Sequence, residues 1–576
     1  MGLLLVFVTV MAYLPAFHAG FVWDDDKYVT DNPLLTAPDG LWRIWFSQDS
    51  PSQYFPLTYT VFRIEYYFWG LLPAGYHGVN ILFQAVNALL VWRVLQRLAV
   101  PGAWLAAAIF AVHPVQVESV AWVSELKNLL SLFFMLLAVL AWLEFIRRPA
   151  RTGGHWYLLA LAGQGLALTA KTTACTLPAA LLLILWLKHL PVNRVRLAQT
   201  IPFLLLSGLM GLVTMWWERH HMGTHGVLFA FGWPERLIIA GHAFWFYLGE
   251  LVWPVHLIAS YPRWIINRHD PTAYGWMLAV AGLGVVIWRL RSWAGRGPEV
   301  AMLFFGLTLT PLLGFLMLYT FLFSFVADHY QYVACLGPIA LVAAGLSRAW
   351  AIYGKDWLWL KPLFCGGLLL TLGCLTWEQC GEYAGPRTLW GATLERNPGS
   401  WLAHVNLGEA LVAEGRTDEA VMHWKKALEL NPGDALAWYD LGVASSQAGR
   451  VADAVADYEK ALEFEPDLPA ACNRLAWVLA TCPIPSLRNG PKAVELAQQA
   501  NQLTGGLNPK FLGTLAAAEA YVGNFPEAVA ILQRALPMPA AQDTDGLTND
   551  LQTQLKFYQA NSTFRDLSLT NTAPAN

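Results

Sequence analysis

The residues best suited to chemistry are Trp23-Asp24-Asp25-Asp26, three adjacent carboxylates that follow an apolar run from Leu3 to Ala19. Acids at a bilayer edge are costly to keep, so such a cluster marks a functional site by default. Three further polar stretches interrupt apolar text: His113-Pro114-Val115-Gln116-Val117-Glu118, Lys171-Thr172-Thr173 and Asp328-His329-Tyr330-Gln331-Tyr332. Carboxylates near Lys171 and His329 suit attack by an activated hydroxyl on a phosphorylated carbon. One carboxylate takes the hydroxyl proton, and the cations stabilise the departing phosphate.

Each of these residues also has a plainer reading. Asp26 and Asp31 serve equally as solvated charges or helix caps, and Lys171 as a side chain that snorkels to the interface. His113 before Pro114 reads as a turn or packing residue, and Glu125 with Lys127 as a pair on a helix edge. His220, His221 and His225 are too loosely spaced for a metal site and read as an outer loop. A cluster of carboxylates could hold a divalent ion, but none is favoured here, and no cofactor is assigned.

The elements that must position these groups divide the chain in two. Over 576 residues it is 56% hydrophobic and 13% charged, with a mean hydropathy of +0.40, too apolar for a soluble protein. Residues up to about 378 are rich in Leu, Trp and Phe, whereas those from about 395 onward carry ordinary charge in Ala-rich helical text. A net charge of -3 gives no reason to invoke nucleic acid. The seven cysteines show neither metal spacing nor a disulfide framework, although Cys472 and Cys482 are placed to pair if their segment is not fully helical.

Apolar runs predict about eleven spans, near residues 2–20, 77–96, 101–112, 120–146, 156–170, 173–188, 200–217, 274–290, 300–318, 330–350 and 359–378. The first lacks the basic start of a cleaved signal and reads as an uncleaved span. Basic residues cluster in alternate loops (Arg93/Arg97, Arg147/Arg148/Arg151, Lys188/Arg194/Arg196, Arg289/Arg291/Arg296, Arg348/Lys355/Lys361), which places those loops in the cytoplasm. The four reactive stretches then share the outer face. Residues 234–257 are apolar enough to cross, but a full crossing would misplace the Arg289–Arg296 cluster, so a helix along the outer interface is expected. Leu41–Leu72 reads as an amphipathic pair of helices on the membrane surface.

A 34-residue period governs the C-terminal part. From Trp401 the tetratricopeptide (TPR) pattern falls on Leu407, Gly408, Ala420, Trp424, Ala427 and Pro432, then on Leu441, Gly442, Ala454, Tyr458, Ala461 and Pro466. A third unit carries a Pro-rich insertion at Cys482–Pro491, a fourth follows, and a polar helix near 545–560 caps the stack. Such solenoids present a concave groove that binds extended peptide or docks a partner. The fold class is therefore all-α: a polytopic helical membrane domain over 1–385, a linker at 386–394, TPR repeats over 395–540, and a capping helix with a disordered tail over 541–576.

Phe21-Val22-Trp23-Asp24-Asp25-Asp26, Asn32-Pro33-Leu34, Tyr54-Phe55-Pro56-Leu57-Thr58, Gly75-Tyr76-His77-Gly78-Val79-Asn80, His113-Pro114 with Glu118, Lys171 and His329-Tyr330, in that order, resemble one family. It is the GT-C glycosyltransferases fused to TPR repeats, whose animal members are the transmembrane-and-TPR O-mannosyltransferases. The resemblance implies Asp24 or Asp25 as catalytic base with the neighbour orienting it, Glu118 as a second acid, and Lys171 and His329 as donor-phosphate ligands. Many relatives have Arg after the loop-one Tyr; Phe55 stands there, so Arg63 is expected to supply that contact. Relatives often have Glu-Arg where this chain has Asp328-His329, so a phosphate role for His329 requires a protonated ring. Tyr54, His77, His113, Asp328 and Tyr330 are expected to shape the site or meet the acceptor.

The implied function is transfer of a sugar, mannose by resemblance, from a polyprenyl-phosphate donor to Ser/Thr hydroxyls of exported proteins. It would take place on the outer face of a bacterial inner membrane, with the TPR groove on the periplasmic side holding the acceptor or a partner. The alternatives are a catalytically inactive TPR scaffold anchored in the membrane, or the same fold glycosylating a lipid or glycan. Transport is disfavoured, because the spans lack the interior charges and broken helices of carriers.

Overall fold

The computed structural model describes residues 1–48, 52–221, 229–353, 360–538 and 546–569. Among these residues the secondary structure is helical throughout, with 3-10 turns between helices and no strand. The chain forms two compact units, Met1–Pro398 and Gly399–Asn576.

The first unit runs α1 (Gly2–Ala12), α2 (Gly40–Phe46), α3 (Pro56–Trp69), α4 (Pro73–Arg97), α5 (Ala103–Val112), α6 (Val117–Ala121), α7 (Leu126–Arg147) and α8 (Ala150–Ala170). It continues with α9 (Leu177–Leu187), α10 (Arg194–His220), α11 (Trp233–Val252), α12 (Gly275–Ala294), α13 (Gly297–Leu309), α14 (Leu336–Tyr353), α15 (Leu360–Glu382) and α16 (Pro386–Arg396). Six helical stretches are long and apolar enough to cross a membrane: α4, Val123–Arg147, α10, Pro271–Ala294, α14 and α15. A seventh is counted if α5 and Pro114–Ala121, bent by 58°, make one broken span. Gly2–Ala12, Thr172–Leu187 and Gly297–Leu312 are shorter apolar helices.

Every expected span thus contains a helix, but several helices stop early. Proline sets the stops, since it cannot donate to the preceding turn. The first helix ends at Ala12 and passes into a 3-10 turn, Leu14–His18, that contains Pro15. Pro114 follows the end of α5, and Pro311 lies in the 3-10 turn after α13. The helix expected to rest on the outer interface is continuous over α11. One face of it (Ile239, Ala243, Phe244, Tyr247) packs into a core with Phe305, Leu309, Phe321 and Phe325. The expected pair in the first outer loop is α2 and α3, and Ile64, Tyr67 and Phe68 on α3 remain exposed.

The second unit stacks the hairpins α17 (Trp401–Ala413)/α18 (Thr417–Leu430), α19 (Ala435–Gln447)/α20 (Val451–Phe464), α21 (Pro469–Thr481)/α22 (Gly490–Leu503) and α23 (Pro509–Tyr521)/α24 (Phe525–Ala535), followed by α25 (Leu547–Gln559). Side-chain caps start the helices: Ser400 Oγ accepts from Ala403 N at 3.2 Å, and Asp434 Oδ1 from Ala437 N at 2.7 Å. Gly408 and Gly442 are small because Trp424 and Tyr458 of the following helices lie directly against them; a Cβ on Gly442 would sit 2.6 Å from the Tyr458 ring.

Two sequence expectations are filled in here and one is corrected. The linker at 386–394 is helical and makes up most of α16, begun by Pro386 at its first turn. Cys472 and Cys482 are both buried free thiols. Residues 562–569 of the expected disordered tail pack back on α21: Asp566 N donates to Thr481 O at 3.1 Å and Arg565 Nη1 to Ala480 O at 3.0 Å. Residues 570–576, with the rest of that expected tail, lie outside the described residues.

On an exposed helix Gly→Ala stabilises by about 1 kcal/mol. At Gly442 the added methyl would strike the buried Tyr458 ring, so Gly442→Ala is expected to destabilise the repeat unit by about 1–3 kcal/mol. Chemical denaturation followed by circular dichroism measures it.

Candidate active site

The site is built where helices break. After α5, Pro114 stops the helix and His113 caps the turn, its Nδ1 accepting from Val115 N at 3.4 Å. The chain then threads His113–Glu125 through the core, and every one of these residues is buried. The break leaves carbonyls without intrahelical donors, and Asn80 on α4 serves them: its Nδ2 donates to Val120 O and Trp122 O, both at 3.2 Å.

The acidic turn docks on this buried segment. Trp23 adopts φ +52°, unusual for a residue with a side chain, and its ring stacks flat on Trp122 at 4.6 Å and 5°. Asp25 Oδ2 accepts from Val22 N at 2.9 Å and its Oδ1 from Ser124 N at 2.7 Å, so both oxygens are tied to backbone. Asp24 is only half-buried, and its Oδ1 accepts from Ser124 Oγ at 3.2 Å. Burial pushes the Asp25 carboxyl up to about 8, against the two backbone donors, and raises Asp24 too, with Lys127 opposing. Asp26 is exposed, as expected of a solvated charge.

The residue next to Ser124 forms the centre. Glu125 is 1% exposed and meets two ammonium groups and one imidazole. Its Oε1 lies 2.7 Å from Lys127 Nζ and 3.7 Å from His329 Nε2. Its Oε2 accepts from Lys171 Nζ at 3.2 Å and from Asn128 Nδ2 at 2.7 Å. Lys127 also stands over the Tyr28 ring, 4.6 Å from its centre. Lys171 enters from an extended break between α8 and the Thr172–Thr176 turn, and burial lowers its ammonium to about 8. His329 sits on the Asp328–Gln331 turn, its N donating to Glu118 Oε2 at 2.7 Å and its Nδ1 3.0 Å from the same oxygen.

Five expected site residues therefore belong to one network. Asp24 and Asp25 meet at Ser124, its neighbour Glu125 holds Lys171 and His329, and His329 reaches Glu118. Asp328 lies beside it: Tyr261 donates to its Oδ1 at 3.0 Å, and burial with Glu118 nearby pushes its carboxyl well up. Tyr330 packs edge-on against His329 at 4.6 Å while its hydroxyl bonds Thr320. His77 Nε2 lies 3.3 Å from Gly20 O and props the chain just before the acidic turn. His113 Nε2 lies 3.1 Å from Leu251 O.

Two expected residues face elsewhere. Arg63 donates to Leu34 O at 2.6 Å, and Tyr54 donates to Trp45 O at 2.9 Å with its ring against Trp217. Glu125 and Lys127 do pair, but at the buried centre rather than on a helix edge, because α7 starts inside the protein. His220 and His221 stack on Trp216 and Trp217, while His225 lies outside the described residues. Among the described residues no three His, Cys, Asp or Glu side chains converge as a metal site.

A family model described as TPR repeat matches residues 408–449, and models described as tetratricopeptide repeat match 435–468 and 381–424. Over 198 residues the chain is 31% identical to the Homo sapiens protein O-mannosyl-transferase TMTC4, covering 29% of this chain and 27% of that one. It is 34% identical over 149 residues to Mus musculus TMTC3 (24% and 16% covered). It is also 34% identical over 178 residues to Drosophila melanogaster Tmtc1 (28% and 20%), both likewise named protein O-mannosyl-transferases. The matched stretch is thus 16% to 27% of each relative's length. Among solved structures, MamA is 20% identical over 27% of this chain and 88% of that one, with a TM-score of 0.24. Yeast Tom70 is 12% identical over 84% and 96%, at 0.25. Scores this low carry no argument.

Glu125→Gln would leave Lys127 and Lys171, both buried, without their shared counter-charge. A loss of about 3–5 kcal/mol is expected, read as a lowered melting temperature of the detergent-solubilised protein.

Proposed function

Starting from a chain akin to the TPR-containing TMTC protein O-mannosyl-transferases, we propose that it is an integral membrane glycosyltransferase acting on proteins. In this reading it takes a sugar, mannose, from a polyprenyl-phosphate donor on the outer face of a bacterial inner membrane and passes it to Ser/Thr hydroxyls of exported polypeptides. The second unit holds the acceptor. A donor of this kind fits a site at the bilayer edge, because the sugar stays tethered to lipid where nucleotide sugars are absent.

The observation that carries the reading is the division of labour at Ser124. Asp25 spends both oxygens on Val22 N and Ser124 N, while Asp24 spends one on Ser124 Oγ and is half-exposed. Asp24 is therefore the base and Asp25 the clamp that fixes the turn. Asp24 accepts the proton of the acceptor hydroxyl, and the oxygen attacks the anomeric carbon opposite the phosphate. The sugar–phosphate bond breaks with its electron pair going to the phosphate, so the anomeric configuration inverts.

Lys171 stabilises the departing phosphate. Glu125 carries one negative charge against Lys127 and Lys171, so the triple keeps one positive charge in surplus for an anion. His329 is held between Glu118 and Glu125 and reaches phosphate only by releasing one of them.

Asp24→Asn is expected to lower transfer from polyprenyl-phosphate mannose to a Ser/Thr peptide by about 10²–10⁴-fold in proteoliposomes, with the melting temperature unchanged. A rate near that of the unaltered protein would remove Asp24 from the chemistry. Transfer to lipid or glycan that persists after deletion of residues 399–576 would point to a non-protein acceptor.

A further inference from the structure

In the second unit a cavity of about 350 Å³ lies between the first helices of the third and fourth repeats and α25, lined among others by Asn473, Arg474, Trp477, Lys510, Thr514 and Gln554. Three of its polar groups are left open. Asn473 is 4% exposed, yet its Oδ1 has no hydrogen-bond partner among the described residues. Among those residues the side chains of Arg474 and Lys510 make no hydrogen bond or ion pair, and burial, with the Arg474 charge nearby, holds the Lys510 ammonium below its usual range.

Two aspartates also line the cavity, so it is no general trap for anions. Asp566 is already engaged: its Oδ2 accepts from Trp477 Nε1 at 2.8 Å and its Oδ1 from Ser568 N at 3.0 Å. Asp550 is exposed on α25. This repeat position changes charge along the stack. Arg474 stands one 34-residue period after Asp440, whose carboxyl is pushed up to about 8 by burial, Glu409 and Asp434. The first repeat carries Asn406 at the same position, so the charge there changes only between the second and third repeats.

We infer that this cavity binds an extended polypeptide segment through one acidic side chain, seated on Arg474 and Lys510, and through a main-chain N–H donated to Asn473 Oδ1. The inference rests on the reading of the second unit as a polypeptide-holding domain and specifies what that polypeptide carries. Charge-assisted hydrogen bonds to Arg and Lys give the acid its selectivity, and the amide carbonyl makes the contact independent of neighbouring side chains.

The test is fluorescence anisotropy on the full chain in detergent with three labelled, acetylated and amidated Gly/Ser nonapeptides. They differ only in a central Glu-Glu, Gln-Gln or Lys-Lys pair. The Glu-Glu peptide is expected to bind about tenfold or more tightly than Gln-Gln, with Lys-Lys weakest. R474Q/K510Q should level the first two, and R474E/K510E should invert the order, a gain that misfolding cannot produce. Equal binding of Glu-Glu and Gln-Gln would overturn the acidic preference and leave peptide binding standing. If none of the three binds, both fall.

Discussion

One buried carboxylate organises the membrane unit. Glu125 is almost fully enclosed and meets the side chains of Lys127, Lys171 and His329, which arrive from three separated parts of the chain. A lone carboxylate at such depth would cost several kcal/mol. Here the ammonium groups of Lys127 and Lys171, with the Asn128 amide, offset that cost. Removing Glu125 leaves two buried ammonium groups without that counter-charge, so the break after α8 and the start of α7 are fixed together.

Helices supply the walls and their interruptions supply the chemistry. A regular helix in an apolar surrounding satisfies its own backbone and offers nothing to a substrate. The segment His113–Glu125 does the reverse, giving carbonyls to Asn80 and one amide to Asp25. Trp23, in its left-handed conformation, turns two aspartates onto that segment and seals the turn by stacking on Trp122. Packing therefore delivers Asp24 beside Ser124 with one oxygen still available.

Much of this was legible in the residues because charge has few places to go in apolar text. Asp24, Asp25, Glu118, Lys171 and His329 stand out as polar groups between spans, and the structure joins them. Ser124, Glu125, Lys127 and Asn128 were hidden by their setting: they head a long apolar run and read as the edge of a span. The overlooked signal was density, four polar residues within five positions inside predicted membrane text. Arg63 could not be placed from sequence, since its partner is the main-chain oxygen of Leu34, which leaves no trace in side-chain pattern. The repeats were the most readable part, because the small residue at Gly442 and the large one at Tyr458 recur with the helical hairpin.

The most direct measurement is a structure of the full chain in nanodiscs with a non-hydrolysable polyprenyl-phosphate sugar. A phosphate oxygen within about 3 Å of Lys171 Nζ, and the anomeric carbon facing Asp24, is the predicted outcome. A donor seated away from Lys171, with Glu125 and its cations undisturbed, would contradict the account.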